Sequence, residues 1–390
     1  MSVTAASGFE AGGLASGIKP AGQPDLAIVT TADRRAVPAA GVFTRNVACA
    51  APVQVSREHL RSEHATAVVL SSGNANAATG EQGRADARRM AALTGSGLGC
   101  EATDVLVCST GLIGYFMPMA ALEQGIPKLA AGLNGSDAAA EAILTTDTVR
   151  KEAVATVAGT EAVVGGMAKG AAMLAPAMAT MLAVVTTDAA LDGALLQAAL
   201  RRAVDDSFNQ LCVDACTSTN DTVLVLANGA SGVAIGDDRS LGVFADALTE
   251  VCASLAEQMA RDAEGATKLA RVTVRGAGSD DDARRAARQV AASQLVQCSL
   301  NGEDPYWGRV LSELGVSGAS FEQEDVEIAY NGVVACRAGI AAGADTDALA
   351  ATMKATEIHI ECDLRAGVHE ASMLFTDLSH AYIDENRGTS

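Results

Sequence analysis

An uncharged segment at residues 170–187 constrains the fold more than any other part of the chain. It is rich in alanine, it contains Pro176, and several threonines interrupt its apolar run. A helix that crosses a bilayer needs about 20 predominantly apolar residues, and a proline inside a helix removes a hydrogen bond. The segment is too short and too interrupted for a membrane span. We therefore expect a buried segment that brings Thr180 to a reactive position.

A threonine in such a segment has two interpretations. The first is a small polar residue in a core strand. The second is a nucleophile, because a threonine at a chain N-terminus carries its own base, an α-amine with an ordinary pKa of about 7.7–8.0. Freeing that amine requires a cut between Ala179 and Thr180, which the hydroxyl of Thr180 can start by attacking the carbonyl of Ala179. The segment alone leaves both interpretations open.

The composition is that of a globular protein. The 390 residues are 49% hydrophobic and 3% aromatic, so we expect one large or two closely packed domains with a core of small aliphatic side chains. A formal net charge of −19 disfavours nucleic acids and anionic membranes as partners. The nine cysteines and five histidines show neither a disulfide framework nor a metal-ligand spacing. Because a signal-peptide pattern is also missing, we expect a cytoplasmic protein without metal or cofactor.

Strands and helices alternate along the chain, which predicts a mixed α/β architecture. Apolar runs predict strands at residues 26–30, 67–70 and 223–226. Apolar residues at three- and four-residue steps predict helices at 244–260 and 280–290. The charged run at 57–64 predicts a solvated helix face.

Several motifs, in order along the chain, resemble those of the ornithine acetyltransferase family, also called the glutamate N-acetyltransferases. The motifs lie at residues 41–46, 73–77, 108–114, 145–148, 169–182, 217–222, 262–268, 304–309 and 381–390. The resemblance covers nearly the whole chain. It departs from the family pattern at Ala171, Ala172 and Ala177, which keep the backbone small, and at Arg387 and Gly388 near the C-terminus.

The resemblance implies a self-processing enzyme with a layered α-β-β-α sandwich. The cut between Ala179 and Thr180 would leave an α chain, 1–179, and a β chain, 180–390, that fold together. Two α and two β chains would assemble, and no cofactor or metal is implied.

The resemblance also implies the roles of individual residues. Thr180 would be the nucleophile, and the Thr110 hydroxyl and the Gly111 backbone N–H would bind the oxyanion. The implied substrate-binding residues are Thr145, Lys169, Thr180, Glu264, Asn386 and Ser390, with Thr146 and Thr389 open as alternatives to the first and the last. Lys169 can meet a substrate carboxylate, and Glu264 can meet an ammonium group.

Taken alone, these residues have ordinary interpretations. Ser109, Thr110 and Gly111 are typical of a loop, Lys169 of an exposed turn flanked by glycine, and Glu264 of a solvated loop. The C-terminal residues are typical of a frayed end.

The implied activity is the transfer of an acetyl group from N2-acetyl-L-ornithine to L-glutamate, by a ping-pong route through acetyl-Thr180, in arginine biosynthesis. Acetyl-CoA stays open as a second donor. Two alternatives remain: a self-processing aminopeptidase or amidase that releases its product to water, and a binding protein without catalytic activity that never cuts itself.

Overall fold

The computed structural model describes residues 2–174 and 181–388. Its strands are β1 (Phe9–Leu14), β2 (Leu26–Thr31), β3 (Val37–Phe43), β4 (His64–Ala65), β5 (Ala67–Asn74), β6 (Val105–Leu112), β7 (Lys151–Thr156), β8 (Val163–Lys169), β9 (Leu182–Thr187), β10 (Leu211–Cys212), β11 (Thr222–Ala227), β12 (Leu269–Ala277), β13 (Glu327–Tyr330), β14 (Val333–Arg337), β15 (Ile340–Ala341), β16 (Glu357–Asp363) and β17 (His369–Thr376).

The helices range from short ones of six or seven residues to α6, which has 24 residues. They are α1 (Ala51–His59), α2 (Gly80–Leu98), α3 (Met119–Ala130), α4 (Ser136–Ala142), α5 (Gly193–Asp205), α6 (Asp238–Arg261), α7 (Asp280–Ala291), α8 (Gln294–Asn301), α9 (Trp307–Val316), α10 (Thr346–Thr352) and α11 (His380–Glu385). Short 3-10 helices lie at Pro20–Gly22, Leu60–Ser62, Ala102–Asp104, Phe208–Gln210 and Gln323–Asp325.

Two sheets pack face to face and form the inner layers of the fold. In the described residues, one sheet has the strand order β1-β2-β5-β6 and the other the order β4-β3-β11-β9-β8-β7. Val68 and Leu70 of β5 share a hydrophobic cluster with Val184 of β9 and Leu224 of β11. Since successive side chains of a strand point to opposite faces, the residues between them face the outer helical layers.

Helices cover the outer face of each sheet. Met90 of α2 and Leu122 of α3 lie in one cluster with Val69 of β5. On the other side, α5 and α6 pack against β9 and β11 in a second cluster. The order of layers is helices, sheet, sheet, helices, so the predicted α-β-β-α sandwich is confirmed.

A third sheet forms a separate layer that the sequence analysis did not predict. Its seven strands follow the order β10-β17-β12-β16-β13-β14-β15 in the described part of the chain. Helices α7, α8 and α9 contribute to its hydrophobic cluster. Helix α7 begins with Asp280, Asp281 and Asp282, and the Ser279 hydroxyl accepts from the backbone N–H of Asp282. This start favours the helix, because capping and acidic residues match the partial positive charge of a helix N-terminus.

The predicted strands and helices lie within observed ones, whereas the charged run at 57–64 is not one helix. Helix α1 ends at His59, a 3-10 turn follows, and His64 already belongs to β4. Glu63 between them has a φ of 57°, a left-handed conformation that a helix cannot include. The run is nevertheless largely exposed.

The nine cysteines, all of them described, are free thiols. In residues 2–174 and 181–388, no group of three or more histidines, cysteines or carboxylates is arranged to hold a metal ion. Helices in these ranges are also too short or too polar to cross a membrane.

Candidate active site

The predicted site residues that the structure describes lie together at one end of the two inner sheets. Strands β8 and β9 are antiparallel neighbours with Lys169 opposite Leu182, and β11 runs parallel to β9 with Thr222 opposite Leu182. Asn220, just before β11, donates its side-chain amide to the carbonyl oxygens of Ser109 at 2.8 Å and Ala75 at 2.6 Å. The last residues of β6 in the first sheet are thereby held against the strand ends of the second sheet.

Thr110 and Gly111 belong to the end of strand β6, so the interpretation of this motif as a loop was wrong. Thr110 is 2% exposed. Gly111 has a φ of 127°, and a Cβ there would come within 2.3 Å of the carbonyl carbon of Gly73 on β5. Glycine is needed because the two backbones approach too closely for any side chain. A hydroxyl and an adjacent backbone amide are donors that can stabilise an oxyanion.

Lys169 is the last residue of β8 and is buried, so its interpretation as an exposed turn lysine was also wrong. Its Nζ lies 3.4 Å from the Thr110 Oγ1 and 3.7 Å from an oxygen of Asp147. Burial lowers the pKa of Lys169 below that of a free lysine, and the nearby Asp147 carboxylate opposes this change. Lys169 thus lies between the Asp147 carboxylate and the Thr110 hydroxyl, for which the sequence predicts a role in binding an oxyanion.

Asp147 links several site residues, and sequence reasoning did not single it out. Its fully buried carboxylate accepts from the Gly170 N–H at 2.7 Å, the Thr145 N–H at 3.0 Å and the Lys151 Nζ at 2.6 Å. Burial alone would raise the pKa of Asp147, but the cations of Lys169 and Lys151 hold this pKa below its ordinary value. The sequence feature that could have indicated Asp147 is its position inside the threonine-rich motif at 145–148.

The two threonines that the sequence left as alternatives lie in different environments. The Thr145 hydroxyl lies 3.4 Å from the Asp147 carboxylate and is half-buried. Thr146 is exposed.

A second buried carboxylate continues this network toward Glu264. Lys151 forms ion pairs with both Asp147 and Asp262. Asp262 directly follows α6 and also accepts from the Thr148 N–H at 2.9 Å. The network therefore joins β7 and the 145–148 segment to the end of α6.

Glu264 is 9% exposed, in contrast to the solvated loop residue that the sequence alone predicts. Its backbone N–H donates to the Ala171 carbonyl at 2.9 Å, and its carboxylate accepts from the Asn386 side chain at 2.7 Å. Glu264 also lies close enough to Lys169 to oppose the lowering of the pKa of that lysine. The opposite charges that the sequence predicts for substrate binding are thus in one site.

The C-terminal segment is docked on the site as far as Asn386. The Tyr382 hydroxyl donates to Asp214 at 3.2 Å, and Gly265 lies so close to the backbone of Tyr382 that a Cβ would come within 2.2 Å of its nitrogen. Asp214 in turn accepts from the Met173 N–H at 2.6 Å. The described part of this segment is therefore packed against the site and is not frayed.

Asp221 is a further buried carboxylate that sequence reasoning missed, although it lies in the motif at 217–222. One of its oxygens accepts from the Met181 N–H at 3.0 Å. The side chains of Thr44 and Ser218 lie near this carboxylate and favour its charged form. Burial raises the pKa of Asp221 well above its ordinary value.

Four residues of the predicted site lie outside the described residues. They are Ala179 and Thr180 of the cleavage site and the alternatives Thr389 and Ser390. The chain on both sides of the cleavage site is anchored, by Asp147 at Gly170 and by Asp221 at Met181.

The arrangement can bind a zwitterionic substrate and stabilise an oxyanion. Lys169 and Glu264 supply opposite charges, and Thr110 and Gly111 supply donors. The described members of the site include no histidine, so an acyl transfer here requires a base of another kind, such as a chain-terminal amine.

Known proteins match this chain along its length. The ArgJ family pattern matches residues 10–388. The arginine biosynthesis bifunctional protein ArgJ of Streptomyces avermitilis is 47% identical, and ArgJ 1 of Streptomyces clavuligerus is 48% identical, each over 100% of both chains. A crystal structure of the arginine biosynthesis bifunctional protein ArgJ from Bacillus halodurans matches 53% of this chain and 98% of its own, with 36% identity and a TM-score of 0.51. On this evidence the chain belongs to the ArgJ family.

Proposed function

We propose that this chain is an acetyltransferase of arginine biosynthesis that moves an acetyl group from N2-acetyl-L-ornithine to L-glutamate through an ester on Thr180. Its relatives are bifunctional proteins of arginine biosynthesis by name. The observation that carries the proposal is the meeting of Thr110, Gly111, Lys169 and Glu264 at the strand ends that flank residues 170–181.

The charges of the site fit the substrate. Acetylornithine carries a carboxylate and, at the far end of its side chain, an ammonium group. Glu264 is the partner for the ammonium group, with Asn386 holding the carboxylate of Glu264 in place. The Lys169 Nζ lies 3.4 Å from the Thr110 Oγ1 and attracts the carboxylate of the substrate.

The first half-reaction transfers the acetyl group to the enzyme. The Thr180 hydroxyl attacks the acetamide carbon while its proton passes to the Thr180 α-amine. The oxyanion that forms is stabilised by Thr110 and Gly111, and the loss of one such donor costs about 3–4 kcal/mol of barrier. The carbon–nitrogen bond then breaks, the amine returns the proton to the leaving nitrogen, and ornithine departs.

The second half-reaction repeats these steps in reverse with a different amine. The neutral amine of glutamate attacks the acetyl ester, and the Thr180 oxygen recovers its proton as N-acetylglutamate forms. One amide replaces another, so the exchange needs no external source of energy.

The base in this mechanism exists only after cleavage between Ala179 and Thr180, which yields the α chain 1–179 and the β chain 180–390. The match to the solved Bacillus halodurans chain covers 98% of that chain and 53% of this one. This share is close to the share that the proposed β chain, 180–390, takes of the whole sequence. Assembly of two α and two β chains in the cytoplasm is part of the same proposal.

The cleavage is tested with purified wild-type protein and the Thr180→Ala variant. Wild type should give two fragments on a denaturing gel, and the fragment that lacks the original N-terminus should begin at Thr180. Thr180→Ala should stay one chain and lose acetyl transfer. An uncut wild type that still transfers acetyl groups, or an active Thr180→Ala, would refute the mechanism.

An assay with and without glutamate separates the transferase from a hydrolase. A transferase releases ornithine in quantity only when glutamate is present, whereas an amidase releases it to water in either case. Replacing acetylornithine with acetyl-CoA in the same assay determines whether the enzyme accepts a second donor. A silent binding protein would give no product in any of these mixtures.

A further inference from the structure

Three buried side chains, Asp147, Lys169 and Thr110, form a connected row that ends at the oxyanion donors. The Asp147 carboxylate lies 3.7 Å from the Lys169 Nζ, and that nitrogen lies 3.4 Å from the Thr110 Oγ1. The second distance is at the long end for a hydrogen bond, as polar contacts in a site without substrate frequently are. All three side chains are almost completely excluded from solvent.

We propose that Lys169 is a positioning residue for the oxyanion: held by Asp147, it donates to the Thr110 oxygen and directs the hydroxyl proton of Thr110 toward the substrate. This inference rests on the proposed acetyl transfer and goes beyond a role of Lys169 in binding the substrate carboxylate.

The hydrogen-bonding capacity of the two groups fixes the direction of their contact. A lysine ammonium has three donors and no acceptor, whereas a hydroxyl has one donor and can accept. Between Lys169 and Thr110, the lysine must donate and the threonine oxygen must accept. The proton of Thr110 is then excluded from the side of Lys169 and remains free for another acceptor, which during the reaction is the oxyanion.

The burial of Lys169 and Thr110 also favours this role. A preorganised donor is worth most where water is excluded, because it needs no reorientation as charge develops. The positive charge of Lys169 next to Thr110 also makes that hydroxyl a stronger donor. Asp147 keeps the lysine in place, since the same carboxylate is anchored by the Gly170 N–H and by Lys151.

A double-mutant cycle on kcat tests whether Lys169 acts through Thr110. The variants are Thr110→Ala, Lys169→Met and the two combined, each incubated until cleavage is complete. Thr110→Ala should lower kcat by about 100–1,000-fold, as the removal of an oxyanion donor does. Lys169→Met should lower kcat by about 10-fold or more in the wild-type background and by less than about 3-fold in the Thr110→Ala background.

A residue that holds the substrate or stabilises the fold gives a different result. The two losses would then multiply, and a multiplicative cycle in an active enzyme overturns the inference while the proposed function stands. Absence of transfer by the wild type would instead refute the proposed function. If a variant stops before cleavage is complete, the same cycle is evaluated on the rate of cleavage, which also passes through a tetrahedral oxyanion.

Two further variants keep the test decisive. Asp188→Asn is the matched control, because Asp188 is buried at the opposite end of the same pair of strands and accepts from the Val163 N–H that begins β8. Its effect on kcat should be less than about 3-fold and independent of Thr110. If Lys169→Met does not fold, Asp147→Asn replaces it, with the same non-additive result expected and a multiplicative result against the inference.

Discussion

The pKa values of two buried carboxylates in this molecule shift in opposite directions because their neighbours differ. Asp147 and Asp221 are both buried, yet the pKa of Asp147 is held below its ordinary value by two lysines and the pKa of Asp221 is raised by burial. Burial always favours the neutral form of an acid, and nearby cations reverse that preference. Both residues anchor backbone beside the predicted cleavage site.

The raised pKa of Asp221 predicts a pH dependence of stability. The unfolded chain releases this proton near a pKa of about 3.9, whereas the folded chain keeps it to a higher pH, so the contribution of Asp221 to folding is favourable in acid and is lost as pH rises. Asp221→Asn cannot ionise. The double variant Thr180→Ala/Asp221→Asn is compared with Thr180→Ala alone. The melting temperature of the double variant minus that of Thr180→Ala should therefore rise from about pH 4 to about pH 8.

The charged and titratable groups that face Asp221, Lys169 and Cys216, are present in both proteins of this comparison. Their titration cancels in the difference. A difference in melting temperature that is flat or falls with pH would contradict the assignment.

The close packing of Gly111 predicts a steric effect at the proposed oxyanion donors. In Gly111→Ala, the new methyl group would meet the backbone of Gly73 at 2.3 Å, and the φ of 127° would be strained. We expect a loss of more than about 2 kcal/mol in stability or a displaced strand end with at least about a 100-fold loss of kcat. Gly114→Ala is the control, since Gly114 also has a positive φ, 88°, but nothing lies within 4 Å of an added Cβ. Equal effects of the two substitutions on melting temperature and kcat would refute the steric argument.

At the scale of elements, β7 and α6 are joined by a buried charge network. Lys151 lies between Asp147, which precedes β7, and Asp262, which follows α6. Such an interaction need not add net stability relative to an apolar core, but removing one member leaves uncompensated charge. The C-terminal helix α11 is held in the same region by contacts of Tyr382 with Asp214 and of Asn386 with Glu264.

Lys151→Met should destabilise the protein by about 3–5 kcal/mol, because two carboxylates would remain buried without their shared cation. The midpoint of urea unfolding measures this change. Arg150→Met is the neighbouring control, since Arg150 pairs with Asp137 and Glu152 at the surface. Its midpoint should stay close to that of the wild type. Equal midpoints for the two variants would show that the buried network does not contribute as described.

At the scale of the whole molecule, the two pieces expected from cleavage are interleaved in one sheet. In the six-stranded sheet, β9 and β11 from residues after 180 lie between β3 and β8 from residues before it. Hydrogen bonds run along β8–β9 and β3–β11. The apolar cluster between the inner sheets also includes residues from both pieces.

The interleaving predicts that the cleaved fragments stay together. With an affinity tag on the first piece, the second should be retained in equal amount through a wash in about 1 M salt, because backbone pairing and apolar packing are not screened as surface charges are. A denaturant should release it. A Thr180→Ala sample run in parallel should give one band in both conditions. Elution of the second piece by salt alone would contradict the interleaved sheet as the basis of association.

The sequence by itself predicted a mixed α/β fold, because strand and helix periodicities are local. Its motifs, through their resemblance to a family, predicted the family and the layered sandwich, which are confirmed. The same resemblance predicted Thr110, Gly111, Lys169, Glu264 and Asn386 as site residues, and their roles stay predictions. Their environments were decided by tertiary structure. Thr110 and Lys169 lie in buried strand ends rather than in loops, and the third sheet was not predicted. Asp147, Lys151 and Asp262 form one network although 111 positions separate the last two. The ion pair of Lys151 with Asp262 forms only because β7 packs beside the end of α6. The free energy of burying a charge depends on such contacts in space and not on the neighbours of the residue in the sequence.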